Sequence, residues 1–262
     1  MLFFLLILTV IGIGLLLFML KEAFRNKVVV NEMVFTDFPA SFGELKIFFI
    51  TDIHKRNVSE KMLTLIKGKA NLVIIGGDIA EKGVPIQRVK KNLLRLKGIA
   101  PVYFVWGNND YEIDYLQLIV LMKELGITIL DNTADVLESE KGETLSLLGV
   151  KELNNNQDRL DLALDAAPEG SFKILVSHYP SIINKILPEH DVRFVLSGHT
   201  HGGQIRVFGY GPYKRGGIEK LGNTILLVSN GYGTTLIPLR LGAPAECHLI
   251  ILKRGPKDGW SG

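Results

Sequence analysis

Lys46-Ile47-Phe48-Phe49-Ile50-Thr51-Asp52-Ile53-His54 is an aromatic and β-branched run that stops on a carboxylate and an imidazole. A short, uninterrupted apolar run reads as a strand buried on both faces, because it offers no polar stripe to solvent. The same arrangement returns along the chain. Leu72-Val73-Ile74-Ile75 leads into Gly76-Gly77-Asp78, and Val102-Tyr103-Phe104-Val105 leads through Trp106 into Gly107-Asn108-Asn109-Asp110. Runs over 173–177 and 193–197 lead into His178 and into Gly198-His199-Thr200-His201-Gly202-Gly203. Segments of helical period lie at 60–67, 86–97, 113–125, 159–166 and 181–187, and further strands are expected at 144–150, 224–228 and 246–252. The early alternation of strand and helix implies parallel pairing, whereas the later strands, divided mainly by Gly and Pro, imply antiparallel pairing. The expected fold is α/β, with two packed mixed sheets flanked by helices.

Residues 2–20 carry no charge and, as a helix, would span roughly 28 Å, close to the hydrocarbon thickness of a bilayer. A cleaved signal peptide fits less well: the basic leading segment and a small-x-small cleavage site are missing, and the apolar run is long. A buried soluble helix fits poorly too, with Leu, Phe and Ile on every face. The expected organisation is a transmembrane anchor at 1–20, a juxtamembrane tether at 21–44 in which Phe35, Phe38, Pro39 and Phe42 are candidates for a first strand or for packing on the domain, a catalytic domain at 45–254 and a disordered tail at 255–262. Lys21, Arg25 and Lys27 against Glu22 just after the span place that domain in the cytoplasm of a single-pass cell-membrane protein. The formal charge of +3 is small and spread out, which disfavours a nucleic-acid partner. The single cysteine, Cys247, excludes an intramolecular disulfide and sits in an apolar run as a buried strand thiol.

The chemistry lies in where the polar residues fall. Asp52, His54, Asp78, Asn108, His178, His199 and His201 each follow an apolar run, at the carboxyl end of a strand, where α/β sheets gather ligand-binding residues. Taken singly, Asp-x-His is a helix cap or a loop hydrogen-bonder, and Gly-Asp or Gly-Asn is ordinary turn chemistry. Two imidazoles two residues apart, framed by glycines, are harder to explain as packing. Carboxylate, amide oxygen and neutral imidazole without thiolate suit two divalent ions of the manganese, iron or zinc kind, manganese first. A shared carboxylate, for which Asp78 is the candidate, would hold them roughly 3.5 to 4 Å apart. His190 and His248 are left as a surface residue and a strand residue.

In this order, Asp52-x-His54, Gly77-Asp78, Gly107-Asn108-x-Asp110, His178 and Gly198-His199-x-His201 resemble the five motifs of the calcineurin-like metallophosphoesterases. The continuation Gly202-Gly203-Gln204-Ile205-Arg206, with the N-terminal span, resembles the membrane-associated bacterial branch. The resemblance implies a four-layer sandwich, with one metal on Asp52, His54, Asp78 and His201 and the other on Asp78, Asn108, His178 and His199. It implies hydrolysis of a phosphodiester or pyrophosphate by direct attack of metal-bound hydroxide, with Asn109, Asp110 and His178 as catalytic candidates. One departure is Asn109, where the family commonly has a histidine; an amide can bind a phosphoryl oxygen but cannot give up a proton. That favours good leaving groups. Arg206, Lys214 and Arg215, among Tyr210 and Tyr213 in a Gly-rich loop, are candidates for a substrate wall, although a solvated loop explains them equally. The anchor makes a lipid-linked substrate reasonable. The alternatives are a catalytically weak binding scaffold, which usually lacks metal ligands, and a nuclease, which needs a basic groove that the sequence does not show.

Overall fold

A computed structural model describes residues 1–151 and 157–261. Helix α1 (Leu2–Ala23) is followed by β1 (Lys27–Phe35), β2 (Glu44–Ile50), α2 (Glu60–Ile66), β3 (Leu72–Ile75), α3 (Ile86–Lys97), β4 (Val102–Phe104), α4 (Tyr115–Glu124) and β5 (Thr128–Ile129). The second half holds β6 (Thr133–Glu138), β7 (Thr144–Gly149), α5 (Leu160–Asp165), β8 (Phe172–Val176), β9 (Val192–Ser197), β10 (Gly217–Leu221), β11 (Thr224–Val228), β12 (Glu246–Arg254) and β13 (Gly259–Ser261). One sheet has the order β13-β1-β12-β2-β3-β4-β5, the other β10-β11-β9-β8-β7-β6. In the first, β2, β3, β4 and β5 run parallel; in the second, β7, β8, β9 and β11 do.

Strand alternation builds the layers. Ile47 and Phe49 of β2 face the second sheet and pack with Ile174, Val176, Phe194 and Leu196, whereas Phe48 and Ile50 face the outer helices. On the outer face of the first sheet, Met62, Leu63, Val89, Leu93, Leu118 and Met122 cover it; on that of the second, Leu160, Ala163 and Ile182 do. Both faces of the central strands are thus apolar, which is why their sequences run without alternation. Helix, sheet, sheet and helix form four layers.

Three expectations need correction. The tether was placed over 21–44, yet Lys27–Phe35 pairs along its whole length with β12, and Met33 and Phe35 are fully buried, so the domain takes in this strand. Residues 259–261, expected in a disordered tail, pair antiparallel with β1, and Asp258 accepts hydrogen bonds from the backbone N–H (2.8 Å) and hydroxyl (3.0 Å) of Thr36; Gly262 lies outside the described residues. The segment at 181–187 is a 3-10 turn over Pro180–Lys185 rather than an α-helix.

Helix α1 is long and apolar enough to cross a membrane, and its side chains are exposed up to its last turn, where Ala23 is buried. Its end is tied down. Arg240 N–H donates to Met19 O (3.1 Å), Ala245 N–H to Glu22 O (3.1 Å), and the Arg56 guanidinium donates to Phe24 O (2.7 Å) and lies over the Tyr232 ring.

Candidate metal centre

The seven expected ligands converge at the carboxyl ends of β2, β3, β4, β8 and β9. Their approach needs small neighbours: a side-chain carbon on Gly107 would strike the Asp78 carboxylate, and one on Gly198 would strike Thr51 and Asp52. The backbone is bent hard here. Ten non-glycine residues have positive φ among the described residues, and five of them are Asp52, His54, Asp78, His199 and His201, at 49–68°. For such residues this conformation is uncommon and persists where the surroundings over-determine it, as they do at functional sites.

The ligand atoms face one another. His54 Nε2 lies 3.1 Å from His201 Nε2, which is 3.4 Å from Asp52 Oδ1. Asp78 Oδ2 lies 3.7 Å from His54 Nε2 and 3.3 Å from His178 Nε2, while Asp52 Oδ1 stands 4.0 Å from each. His199 Nδ1 and Asn108 Oδ1 are 3.0 Å apart. Separations of roughly 3 to 3.5 Å between donor atoms are what one ion, at about 2.1 Å from each, imposes. His178 supports this fit independently. Its Nδ1 is 2.8 Å from Gly76 O, which fixes the proton there, and its buried Nε2 has no well-formed hydrogen bond despite the carboxylate beside it. Asp52, His54 and His201 make one group able to hold a metal, and Asp52, Asp78 and His178 a second.

Charge in the cluster is divided. Burial works against protonation of His178, but the Asp78 and Asp52 carboxylates outweigh it and lift its pKa to about 10. His54 is likewise raised against its burial, by Glu81, Asp78 and Asp52. His199 is held down to about 4 by burial and then by His178, and His201 well below its usual value by burial and then by the cationic His54 and Arg240. The Asp52 and Asp78 carboxylates favour the protonated form of His54 and His178, and a metal bound here would compete with those protons.

Several surrounding residues escape a reading of motifs. Glu81 Oε2 lies 2.9 Å from His54 Nδ1 and its other oxygen 2.6 Å from Lys55 Nζ, so it sets the ring that presents Nε2. Its only signal was an acid three residues past Asp78. Arg240 is fully buried and donates to the carbonyls of Asn230 (2.6 Å), Gly233 (2.6 Å), Ala243 (2.8 Å) and His201 (3.2 Å), folding its own connection between β11 and β12 and tying it to the loop of His201. Burial lowers its pKa to about 10, which leaves it charged at neutral pH. No local pattern announces it.

Other expected residues are placed differently. Asp110 is fully buried and accepts from the N–H groups of Asp78 (2.8 Å), Gly107 (2.9 Å) and Ala80 (3.2 Å); it braces the loops under Asp78 and does not reach the cavity. Asn109 lines the cavity, its N–H donating to Asp78 Oδ1 (2.8 Å), its amide carbonyl accepting from Asn108 (2.9 Å) and its amide N–H donating to Glu112 (3.0 Å). Arg206 spends its guanidinium on the carbonyls of Gly202, Gly209 and Tyr213, so it knits its own loop instead of facing the cavity. Lys214, paired with Glu219 (2.6 Å), and Arg215 line a neighbouring cavity of about 410 Å³. The main cavity, about 470 Å³, is lined by Asp78, Asn108, Asn109, His199 and His201 on one side and by Ile205, Tyr213, Leu236 and Ile237 on the other.

The chain belongs to the calcineurin-like phosphoesterase family, whose model matches residues 45–203 and so takes in every one of these ligands. It is 44% identical over 210 residues to the uncharacterised protein YpbG of Bacillus subtilis, covering 79% of this chain and 81% of that one. It is 32% identical over 234 residues to an uncharacterised metallophosphoesterase of Helicobacter pylori, and 28% identical over 251 residues to a transmembrane protein with metallophosphoesterase domain of Danio rerio. These matches cover 82% and 87% of this chain but only 61% and 57% of those proteins. The 5′-nucleotidase precursor of Thermus thermophilus shares the fold, with a TM-score of 0.51 at 13% identity over 79% of this chain and 55% of that one.

Proposed function

We propose that this chain is a membrane-anchored, dinuclear metal-dependent hydrolase of a phosphodiester or pyrophosphate carried by an amphiphile. The observation that carries the reading is the convergence of Asp52, His54, Asp78, His178 and His201, all but His178 in left-handed backbone, on facing donor atoms 3.1 to 4.0 Å apart. Asp52, His54, Asp78 and His201 would hold one ion, manganese first and iron or zinc next, and Asp78, Asn108, His178 and His199 the other. Asp52 falls in both ligand groups and lies 3.4 Å from His201, but Asp78 Oδ2 stands nearer than Asp52 to both His54 and His178, which supports Asp78 as the shared ligand. The bound pair would acidify a water and neutralise charge on the phosphoryl group.

The chain's own residues do the rest. Gly76 and Glu81 fix the His178 and His54 rings, and Asn109 turns the Asn108 carbonyl toward His199 by accepting its amide N–H. Asn109 offers phosphoryl oxygens a hydrogen bond but no proton, so substrates that leave unaided are favoured. Helix α1 supplies the anchor, and Lys21, Arg25 and Lys27 orient the domain to the cytoplasm. The test is purified full chain in detergent micelles, with manganese and bis(p-nitrophenyl) phosphate. About two bound ions per chain and chelator-sensitive hydrolysis are expected; two ions without hydrolysis of this or a pyrophosphate probe would make the protein a binding scaffold.

A further inference from the structure

Beyond α1 along the chain, the two most exposed large apolar side chains among the described residues are Phe208, 96% exposed, and Leu236, 91% exposed. Both stand at positive φ, 50° and 59°. A tip turned to water would carry Gly, Asn or Asp there, because those residues adopt this conformation without strain and bind water. Here Phe208-Gly209 closes a two-residue turn, with Val207 and Tyr210 exchanging backbone hydrogen bonds of 2.9 Å and themselves 55% and 83% exposed. A contiguous exposed apolar patch at a strained tip marks a contact surface.

The patch is continuous with the exit of α1. Gln204 holds the two loops together, donating to Thr235 O (3.0 Å) and Ile237 O (3.2 Å) and accepting from Thr235 N–H (2.9 Å). The second loop meets the helix end through Arg240 and Met19, and Leu236 and Pro238 share a cleft with Ala23 and Phe24. Leu236 and Ile237 also form the apolar wall of the main cavity. Leu236 thus links the end of a membrane-length helix, through a cleft that also holds Lys55, Arg56 and Glu81, to the lip of the candidate metal centre. Lys21 and Arg25, exposed where the helix ends, add the charge that anionic headgroups attract.

We propose that the Val207 to Tyr210 hairpin and the loop bearing Leu236 and Ile237 dip into the bilayer that α1 crosses. The mouth of the cavity is thereby seated at the lipid interface, where an amphiphile presents its phosphate to the ligands while its tail stays in lipid. This inference rests on the anchored-enzyme reading.

The experiment uses full chain reconstituted in phosphatidylcholine vesicles with brominated or unbrominated acyl chains, in a Trp260→Phe background whose remaining emission, from the buried Trp106, is recorded in the parent and subtracted from each variant. Tryptophan is introduced in turn as Phe208→Trp, Leu8→Trp within α1, and Leu162→Trp on α5. Bromine should quench the Phe208→Trp and Leu8→Trp chains at least about twofold and spare Leu162→Trp. If Leu8→Trp is quenched and Phe208→Trp is no more quenched than Leu162→Trp, the hairpin faces water or a protein partner and the inference falls while the anchor stands. If Leu8→Trp is also unquenched, the anchor reading falls with it. A second arm uses Phe208→Asp, which lies outside the cavity lining. Hydrolysis of dodecyl p-nitrophenyl phosphate in vesicles should drop about tenfold with bis(p-nitrophenyl) phosphate unchanged; equal rates on the vesicle substrate for parent and variant would overturn the proposal.

Discussion

Two buried regions of this molecule hold histidine, and only one of them raises any of its imidazoles. In the candidate ligand cluster His178, facing Asp52 and Asp78, is lifted to about 10 and His54 is raised, while burial holds His199 and His201 down. In the middle of β12, His248 is also buried, with Asn31 Oδ1 3.0 Å from Nδ1 and Ser229 Oγ 3.1 Å from Nε2, and burial pushes it down to about 4. Glu246 lies 3.8 Å away but does not overcome that burial. The sheet interior satisfies its imidazole with neutral partners and needs no charge. The cluster instead sets two carboxylates among four imidazoles, a donor set that a pair of divalent ions fits.

The comparison breaks most visibly at Asp78. Asp78→Asn keeps the volume and removes the charge, and it should cost about 1,000-fold or more in turnover with loss of at least one ion. Metal analysis beside the rate assay separates the two effects. A variant that keeps both ions and its rate would show that the cluster is only another polar interior.

The second test addresses His248. Its folded pKa, about 4, lies below the unfolded value of about 6.5, so the unfolded chain binds the proton more readily between these values. Its neutral burial therefore supports stability above pH 6.5, and that support is lost as pH falls toward 4. The loss is on the order of 3 kcal/mol. His248→Gln removes the titration and keeps a hydrogen-bonding group, so its stability should fall less between pH 7 and 4 than the parent's. Denaturant unfolding of both chains, stripped of metal with chelator, checks this; parallel pH curves would mean that β12 does not hold His248 neutral.

How much of this was legible follows from where each constraint lives. The candidate ligands could be singled out because metal chemistry limits residue types and each follows a strand, so order along the chain survives folding. The layers could be read because a strand covered on both faces must be apolar throughout, as Leu72–Ile75 is. Strand β1 was hidden behind Lys27 and a position next to the anchor, although Val28, Val29 and Val30 favour extended chain. Arg240 was illegible because its partners are backbone carbonyls, three in its own loop and one at His201, and carbonyls have no sequence signature. Arg206 misled for a related reason: the Gly-rich loop, taken as a substrate wall, turns the carbonyls of Gly202 and Gly209 onto its guanidinium.

A smaller effect sharpens the contrast from the side of the imidazole. His54 is set by Glu81, whereas His248 has no carboxylate in that role. Glu81→Ala should weaken metal binding about 10- to 100-fold, as loss of a carboxylate behind a ligating histidine does, while Glu81→Gln restores part of it through its carbonyl. Competition with a chromogenic chelator gives both affinities. Equal affinities for Glu81→Ala and the parent would mean that β2 alone orients His54.

The smallest effect belongs to Asn109, at the boundary between the ligands and the cavity. Its carbonyl accepts the Asn108 N–H and its own N–H goes to Glu112, so it ties Asn108 but is not itself placed among the ligands. Asn109→Ala should lower turnover of every substrate by several-fold, roughly 3 to 10, and leave metal content unchanged, because Asn108 keeps its place next to His199. Asn109→His adds a group able to release a proton near neutral pH, and so should speed alkyl phosphodiesters more than p-nitrophenyl esters. The measurement is therefore a ratio of rates for poor and good leaving groups, with bound metal counted in each variant. A constant ratio would reduce position 109 to holding Asn108. Loss of an ion in Asn109→Ala would move the boundary, making the tie to Asn108, and not strand geometry alone, the condition for filling the second metal position.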